Sequence, residues 1–454
     1  MENQCWPPTG IEVTQGRTLS NARFAAYDLL ARVANDDSYI NLLLPSFLSR
    51  SGVSEQDRGL VQELSYGTLR WQLQYDSIID LLSNGREIDT EVRIALRLGL
   101  HQLFRMRIPS HAAINESVEL IKRIQPRASG FANAILRNAD RRGLANIIEE
   151  ITSGLGRLTS LSILHSHPEW VVRALMDALA LDNRDSLETL LESNNQTPSV
   201  NIAALTNDAR QRLIQSNVEQ STVSPIGYIL DGNPEPYLAS DVRVQDQGSQ
   251  LVALALLELS EPSARFLDMC SGPGGKSAVI LSGLDSEGQL VCYEPAEHRA
   301  KLVEEAVGFD ERVEIVVAEG QSVKRDAFDA VLLDAPCSGL GSLRRKPESR
   351  WRKLPSQLPN LSRIQTELLD AGLGALRLGG VLLYSTCSPV VSETNSQVVD
   401  ALERHPEVEL IDLKPILQKI SPNTTLNERR KTIQLWTDLH QTDSMFMAGF
   451  RRVG

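Results

Sequence analysis

Short apolar segments alternate with helix-like segments through the second half of the chain, and this alternation restricts the fold more than any other feature. The strand-like segments are residues 265–269, 289–294, 313–318, 330–333 and 380–386. Helix-like patterns begin at Lys276, Glu297, Leu361 and Glu393. Strands that alternate with helices form a mostly parallel sheet covered on both faces, with ligands at the carboxyl ends of the strands. The pattern predicts an α/β, Rossmann-like domain over residues 241–454.

Residues 18–145 have a different character, because their apolar side chains recur every three to four residues. Ala25, Leu29 and Val33 begin this pattern, and Ile94 and Leu98 continue it. Such spacing predicts an all-α domain, preceded by a flexible tail over residues 1–17. Residues 146–240 combine a helical pattern with short strand-like pieces that proline and glycine interrupt. For these residues we expect a helical connector and a small α+β subdomain.

Composition indicates a soluble protein of two or three domains, with 454 residues, 42% of them hydrophobic and 23% charged. No apolar run is long enough to cross a bilayer, and the polar first 20 residues lack the pattern of a secretion signal, so we expect a cytoplasmic protein. The five cysteines are widely scattered, which favours free thiols over a disulfide framework or a zinc site. We therefore expect no metal.

The formal net charge of −12 argues against binding to nucleic acid through the overall field of the protein. Two segments are nevertheless basic: residues 97–142 have nine Lys/Arg against three Asp/Glu, and residues 344–353 have six against one. Such local clusters can neutralise phosphates at a selected RNA site. The candidate RNA contacts in the second segment are Arg344, Arg345, Lys346, Arg350, Arg352 and Lys353. Ordinary solvated helix faces are an equally good interpretation of either segment alone.

A glycine-rich turn comes after the first strand-like segment of the α/β half. It consists of Cys270, Ser271, Gly272, Pro273, Gly274, Gly275 and Lys276. Glycines allow the backbone to approach a ligand closely, and the next helix presents its N-terminal dipole. The spacing matches neither the Walker A motif nor GxGxxG, so a purely structural turn is the alternative.

Acidic residues end or directly follow the next three strand-like segments. Glu294 lies about 20 positions after the glycine turn, where a carboxylate can accept both ribose hydroxyls of an adenosine-containing ligand. Because no phosphate-loop motif is present, S-adenosylmethionine suits this pattern better than ATP. Glu319 is expected near the adenine edge, and Asp334 ends the fourth segment. A surface glutamate is the alternative for Glu294.

Two cysteines come after strand-like segments, Cys337 in DAPCSG (residues 334–339) and Cys387 in YSTCS (residues 384–388). Both thiols are expected at the same edge of the sheet, facing the cofactor. A thiolate that adds to carbon 6 of a pyrimidine makes carbon 5 nucleophilic, whereas an exocyclic amine needs no such help. The pair thus indicates methylation of a pyrimidine carbon, although an isolated cysteine is more often an inert core residue. This chemistry does not rank the two thiols.

Several motifs occur together in the order found in one known family. They are residues 63–71, 114–124 and 131–137 (FANAILR), residues 166–171, residues 244–250 (VQDQGSQ), the glycine turn, DAPCSG, YSTCS and residues 443–446 (DSMF). In this respect the chain resembles the Sun/Fmu, or RsmB, family of RNA 5-methylcytosine methyltransferases, which act on 16S ribosomal RNA at a site of the cytosine 967 type. The resemblance implies an all-α NusB-like RNA-binding domain, a small connector and a Rossmann-like methyltransferase domain that uses S-adenosylmethionine.

The resemblance also implies individual roles. Cys387 would be the attacking nucleophile, Cys337 would help to release the product, and Asp334 would hold the target cytosine. The glycine turn, Glu294, Glu319 and Asp334 would bind S-adenosylmethionine. The chain departs from the family pattern at Ser271 and Gly272, where two alanines are usual, and at Glu319, where aspartate is usual. It also departs at residues 443–446 (DSMF), where an Asp-Gly-Phe-Phe-like block is usual.

Three alternatives about the function stay open at this point. The same motifs would suit a target in transfer RNA or at another ribosomal cytosine. They would also suit either naked RNA or an assembling small subunit as the substrate. An inactive RNA-binding scaffold would be expected to lose a thiol or the cofactor acid, and the chain has all of them. A monomer is expected because no additional assembly segment is evident.

Overall fold

The computed structural model of this protein describes residues 21–35 and 38–454. The tail predicted over residues 1–17 lies outside the described residues. The chain divides into two compact units, one extending to Gly154 and the other spanning Leu155–Gly454. Within the described residues, no helix is both long and apolar enough to cross a membrane.

The first unit is helical throughout its described part. Its α-helices are α1 Asn21–Asn35, α2 Ile40–Arg50, α3 Glu55–Arg70, α4 Gln72–Leu82, α5 Thr90–Arg105, α6 Ser110–Ile124, α7 Ser129–Arg142 and α8 Leu144–Thr152. Side chains spaced three to four residues apart, such as Leu29 in α1 and Leu98 in α5, enter one continuous apolar core. Ser54 caps α3 by accepting a hydrogen bond from the backbone N–H of Asp57. The predicted all-α fold is confirmed.

The second unit opens with three helices and a small antiparallel sheet. The elements are α9 Arg157–His165, α10 Glu169–Leu181, α11 Leu187–Ser193, β1 Val200–Ala204, α12 Asn207–Gln215, β2 Glu219–Gln220, β3 Gly227–Leu230 and β4 Val242–Val244. The strand order is β2-β3-β1-β4. α12 covers this sheet, and its Ala209 and Leu213 are buried with strand residues in a separate small apolar core.

The remainder of the second unit is a layered α/β structure. Its strands are β5 Arg265–Asp268, β6 Gln289–Tyr293, β7 Val313–Val316, β8 Phe328–Asp334, β9 Leu376–Thr386, β10 Val408–Ile411, β11 Ile433–Gln434 and β12 Phe446–Arg452. Its α-helices are α13 Gln247–Glu258, α14 Gly275–Gly283, α15 Glu297–Val307, α16 Ser349–Arg352, α17 Leu358–Ala375, α18 Asn395–Arg404, α19 Lys414–Ile420 and α20 Thr437–His440. Separate apolar cores lie on the two faces of the sheet.

The main sheet has the order β10-β12-β9-β8-β5-β6-β7, and β11 pairs with β12. β5 to β9 are mutually parallel along this path, whereas β12 is antiparallel to β9, β10 and β11. The predicted Rossmann-like fold is confirmed, with a mixed sheet. The antiparallel strand β12 was not predicted, because its run of buried residues lacks the alternation that marks a half-exposed strand.

The carboxyl ends of the parallel strands meet at one edge of the sheet. β5 leads into the glycine turn, β6 into Glu294, β8 into Cys337 and β9 into Cys387. β8 and β9 are neighbours in a register that places Asp334 beside Ser385. This register brings the two cysteine-bearing loops together, although they are 50 residues apart in the chain.

Candidate active site

The two thiols predicted to share a sheet edge are in direct contact. The Cys337 Sγ and Cys387 Sγ atoms are 3.4 Å apart, and both side chains are partly buried. The other cysteines that the structure describes, Cys270 and Cys292, are also free thiols. Cys292 is buried in β6, where burial raises its pKa, so it is an inert core residue.

The environment makes the two neighbouring thiols unequal. A hydrogen bond from Cys337 lowers the pKa of Cys387, and the cationic side chains of Lys346 and Lys276 act in the same direction. The same hydrogen bond to Cys387, together with burial and the charge of Glu393, raises the pKa of Cys337 well above its ordinary value. The surroundings therefore favour the thiolate form at Cys387 more than at Cys337. The contact thus ranks two residues that sequence chemistry alone left equivalent.

Asp334 is held rigidly at the end of β8. Lys276 Nζ lies 2.6 Å from its Oδ2 atom, and Ser385 Oγ donates to its Oδ1 atom over 2.9 Å. Burial acts to lower the pKa of Lys276, but the Asp334 carboxylate outweighs burial and raises it. Lys276 therefore remains an ammonium, and its charge also acts on Cys387.

The glycine turn packs directly onto Glu294. The backbone N–H of Gly272 donates to Glu294 Oε2 over 3.2 Å, and Arg299 Nη2 donates to the carbonyl of Gly272 over 2.7 Å. A Cβ atom added at Gly272 would lie 2.3 Å from Glu294 Oε2. Gly274 has a φ of +94°, and a Cβ atom added there would lie 2.4 Å from the Cβ atom of Ala306. The left-handed backbone favours glycine at Gly274, whereas a Cβ atom at Gly272 would meet the ends of the Glu294 and Arg299 side chains.

Asp268 is a residue of this edge that the sequence analysis missed. It ends β5, is 1% exposed, and accepts a hydrogen bond from Ser277 Oγ over 2.7 Å. Burial raises its pKa to about 6. The signal was present in the sequence, since an acidic residue directly before a glycine turn occupies the carboxyl end of a parallel strand, where ligands bind.

The remaining acidic candidate, Glu319, is solvent-exposed just beyond β7, next to a 3-10 turn over Gly320–Ser322. Around the glycine turn, the edge thus offers two buried carboxylates, Asp268 and Glu294, and an exposed one at Glu319. Carboxylates accept hydrogen bonds from hydroxyl and amino groups, and the glycines of the turn let a ligand approach the backbone. This combination fits the adenosine and amino-acid parts of S-adenosylmethionine. When bound, this cofactor supplies an electrophilic methyl group.

The basic segment after Cys337 differs from its prediction as an RNA-contacting surface. Arg350 is 0% exposed and donates to the carbonyl of Ser166 and to Asn195 Oδ1. Arg344 is 4% exposed and donates to the carbonyl of Gln441. The prediction that these two arginines grip phosphates is wrong, because both are committed to the interior of the protein.

The other members of this segment are placed differently. Arg345 is paired with Asp246 at 2.7 Å and with Asp443 at 3.2 Å, so it joins three distant parts of the chain. Lys346 is exposed, and Arg352 and Lys353 are partly exposed. Their exposure leaves these three side chains as candidates for contact with RNA.

Two family models match the chain. The model described as 16S rRNA methyltransferase RsmB/F matches residues 254–451, and the NusB family model matches residues 20–141. The first covers the glycine turn, both cysteine loops and the strands of the main sheet up to the penultimate residue of β12. The second covers α1 to α6 and nearly all of α7.

Full-length relatives show the same relationship. The chain is 37% identical to the putative methyltransferase Rv1407 of Mycobacterium tuberculosis, over 96% of this chain and 98% of the relative. It is 34% identical to ribosomal RNA small subunit methyltransferase B of Pseudomonas putida, over 87% and 91% of the two chains. It is 29% identical to the probable ribosomal RNA small subunit methyltransferase B of Bacillus subtilis, over 96% and 99%.

Solved structures share the fold at lower identity. The crystal structure of PH0851 superposes with a TM-score of 0.77 at 19% identity, over 97% of this chain and all of that one. A methyltransferase homologue from Pyrococcus horikoshii superposes with a TM-score of 0.53 at 21% identity, over 66% of this chain and all of that one. From the family models and the relatives, the chain belongs to the RsmB/F family and is an S-adenosylmethionine-dependent rRNA methyltransferase.

Proposed function

We propose that this protein forms 5-methylcytosine in 16S rRNA, at a site of the cytosine 967 type, through a covalent adduct between Cys387 and the base. The contact between Cys337 and Cys387 supports this proposal, because the two sulfurs lie 3.4 Å apart and their surroundings lower the pKa of Cys387 while raising that of Cys337. Methylation of an amine or a hydroxyl would need neither sulfur. A carbon that lacks a lone pair needs a nucleophilic catalyst.

The first step is the addition of the Cys387 thiolate to carbon 6 of the cytosine. The new C–S bond uses the sulfur electron pair, and the electrons of the C5–C6 double bond move into the ring as nitrogen 3 takes up a proton. Asp334 holds the base by accepting hydrogen bonds from it, and Lys276, which lies 2.6 Å from that carboxylate, balances its charge. The resulting enamine makes carbon 5 the nucleophile that receives the methyl group.

Release then restores the aromatic ring. Carbon 5 loses its proton, the C5–C6 double bond re-forms, nitrogen 3 returns its proton, and the C6–S bond breaks with its electron pair leaving on Cys387. Cys337 assists by donating its S–H to the departing thiolate, from a position that is 3.4 Å away in the free protein. The hydrogen bond that lowers the pKa of Cys387 before attack thus also stabilises it as a leaving group.

The substrate must present an unstacked cytosine, because the ring face and the C5–C6 edge are inaccessible inside a paired helix. Lys346, Arg352 and Lys353 are proposed to contact the flanking phosphates, and the helical unit is proposed to place the RNA. Relatives named small subunit methyltransferases favour ribosomal RNA, free or in an assembling subunit, over transfer RNA. We also propose that the enzyme acts in the cytoplasm, without a metal and as a monomer.

The direct test is to incubate the protein with labelled S-adenosylmethionine and undermethylated 16S rRNA and to map the product by bisulfite sequencing. The expected result is label at one cytosine. Label at an amino group or a ribose would refute the proposed chemistry, and label only in transfer RNA would refute the proposed substrate.

The separate roles of the thiols are tested with two variants and a control. Cys387→Ala is expected to abolish both methylation and the RNA–protein adduct, whereas Cys337→Ala is expected to accumulate an adduct that migrates slowly on a denaturing gel. Cys292→Ala, which removes a buried thiol of β6, should methylate RNA without accumulating adduct. Normal turnover by Cys337→Ala, without adduct, would refute the release role.

A further inference from the structure

The buried side chain of Glu393 connects the two cysteine loops. It ends the 3-10 turn Val391–Glu393 and is 0% exposed. Its Oε1 atom accepts from the backbone N–H of Ser338 over 2.7 Å. Its Oε2 atom accepts from Ser338 Oγ over 2.6 Å and from Ser388 Oγ over 2.5 Å. A single carboxylate therefore holds both loops.

The positions of these donors in the chain give the contact its significance. Ser338 is the residue directly after Cys337, and Ser388 is the residue directly after Cys387. A displacement of either serine by about 1 Å would move the adjacent sulfur by a similar amount, because neighbouring residues are joined by a rigid peptide unit. The 3.4 Å separation of the two sulfurs thus depends on where the Glu393 carboxylate lies.

Glu393 itself has little freedom to move. Gln365 Nε2 donates to its Oε1 atom over 3.3 Å, and the Tyr384 hydroxyl donates to its backbone carbonyl over 2.7 Å. Tyr384 lies in the buried core of β9, and Gln365 lies on α17. Placing a carboxylate in the interior is costly unless hydrogen bonds satisfy it, and here two catalytic loops supply most of those bonds.

We propose that Glu393 is the positioning residue that sets the Cys337–Cys387 contact and so determines which thiol attacks. This inference rests on the proposed function, since it assigns the origin of the ordering that the mechanism uses. Glu393 contacts the neighbours of the thiols and not the substrate. Its negative charge also favours the protonated form of Cys337, while Lys276, Lys346 and Asp334 are the charged groups that face Cys387.

The experiment compares Glu393→Ala with Glu393→Gln and with a matched control. Ser421→Ala is the control, because Ser421 is also buried and hydrogen-bonded, but to Thr424 instead of to the cysteine loops or the turn that holds Glu393. For each variant, kcat and both KM values are measured. The pH dependence of Cys387 alkylation by iodoacetamide is followed by mass spectrometry of the free protein.

Glu393→Ala is expected to lower kcat by about 100-fold, the effect of misplacing a reacting group by about 1 Å. Its KM values should stay within about threefold of the wild type, since no substrate contact is lost. Its alkylation midpoint should move to higher pH. Glu393→Gln should lose less, about tenfold, because an amide can accept from Ser338 N–H and donate to the two hydroxyls. Ser421→Ala should leave kcat and the midpoint unchanged.

A folded Glu393→Ala protein with kcat within about threefold of the wild type and an unchanged midpoint would overturn the proposal. If Glu393→Ala does not fold, Ser388→Ala replaces it, with an expected loss of about tenfold and a shift of the midpoint in the same direction. The midpoint is measured without RNA, so it separates two failures. If the wild type methylates no RNA but the alkylation midpoint of the variant shifts, only the proposed function is refuted. If the midpoint of the variant does not shift, the role of Glu393 is refuted.

Discussion

Gly341 offers a sharp test of how closely the active-site loops are packed. It lies in the 3-10 turn Leu340–Ser342, donates from its backbone N–H to the carbonyl of Cys387 over 2.8 Å, and accepts from the N–H of Ser444 over 2.8 Å. A Cβ atom added there would lie 2.1 Å from the carbonyl oxygen of Ser444 and 2.8 Å from that of Cys387. Both obstacles are backbone atoms, so no side-chain rotation relieves the overlap.

These distances set the expected magnitude. Ordinary contacts of a Cβ atom begin near 3.4 Å, so Gly341→Ala forces residue 341 away from the Ser444 carbonyl oxygen by about 1.3 Å and from that of Cys387 by about 0.6 Å. We expect kcat to fall by about 100-fold, because a shift of this size misplaces the nucleophile. Overpacking should also reduce the free energy of unfolding by about 1–3 kcal/mol.

The assay is methyl transfer from labelled S-adenosylmethionine to rRNA, with thermal unfolding followed on the same samples. Gly374→Ala is the matched control, since a Cβ atom there meets only the side chain of Arg325, at 3.4 Å. The control should retain full activity. A folded Gly341→Ala protein with activity within about threefold of the wild type would show that the loop accommodates the methyl group without moving Cys387, which contradicts the prediction.

Three further predictions concern charge and sulfur chemistry. The pKa of Asp268 is raised in the folded protein to about 6 from its ordinary value of 3.8, so its contribution to stability is full below pH 4 and is lost as pH rises through 6. Relative to Asp268→Asn, the cofactor-free wild type should lose about 3 kcal/mol of unfolding free energy between pH 4 and 7, and parallel curves would contradict this. Arg345→Ala should lower the free energy of unfolding by about 3–5 kcal/mol in chemical denaturation, since it leaves the largely buried carboxylates of Asp246 and Asp443 without their ion-pair partner. Lys346→Ala, in contrast, should keep the melting temperature. It should reduce the slope of RNA affinity against salt concentration by about one phosphate contact. Diamide, which takes up the hydrogens of two thiols, should link Cys337 to Cys387 and stop methylation until a reductant is added, and a mass spectrum without this disulfide would contradict the 3.4 Å contact.

Local patterns carried much of the architecture. The five parallel strands β5 to β9 lie where the apolar segments predicted them, although β8 and β9 begin earlier than expected, and the helix predicted from Glu393 begins at Asn395 as α18. These elements were predictable because alternation, helical spacing and turn residues act over a few positions along the chain. The glycine turn and both cysteines were also visible, since each comes just after an apolar strand, at the carboxyl edge where a parallel sheet binds its ligands.

The charged residues show that local sequence patterns do not predict which charges are exposed to solvent. A run of six cations predicts a basic surface, yet Arg350 is buried against Ser166 and Asn195, which are 184 and 155 residues away in the chain. Whether a charge faces solvent depends on which distant segment packs over it, and composition does not contain that information. The same reason explains why the exposed position of Lys346 emerged only from the folded chain.

The sequence alone therefore determined the order of elements, the edge of the sheet that carries the chemistry, and the two sulfurs that could perform it. The tertiary structure decided how those sulfurs differ. Their separation, the hydrogen bond between them and the carboxylate of Glu393 beneath them join residues about 50 positions apart. A thiol's acidity depends on the charges and donors within a few ångströms of it, and only folding brings these together.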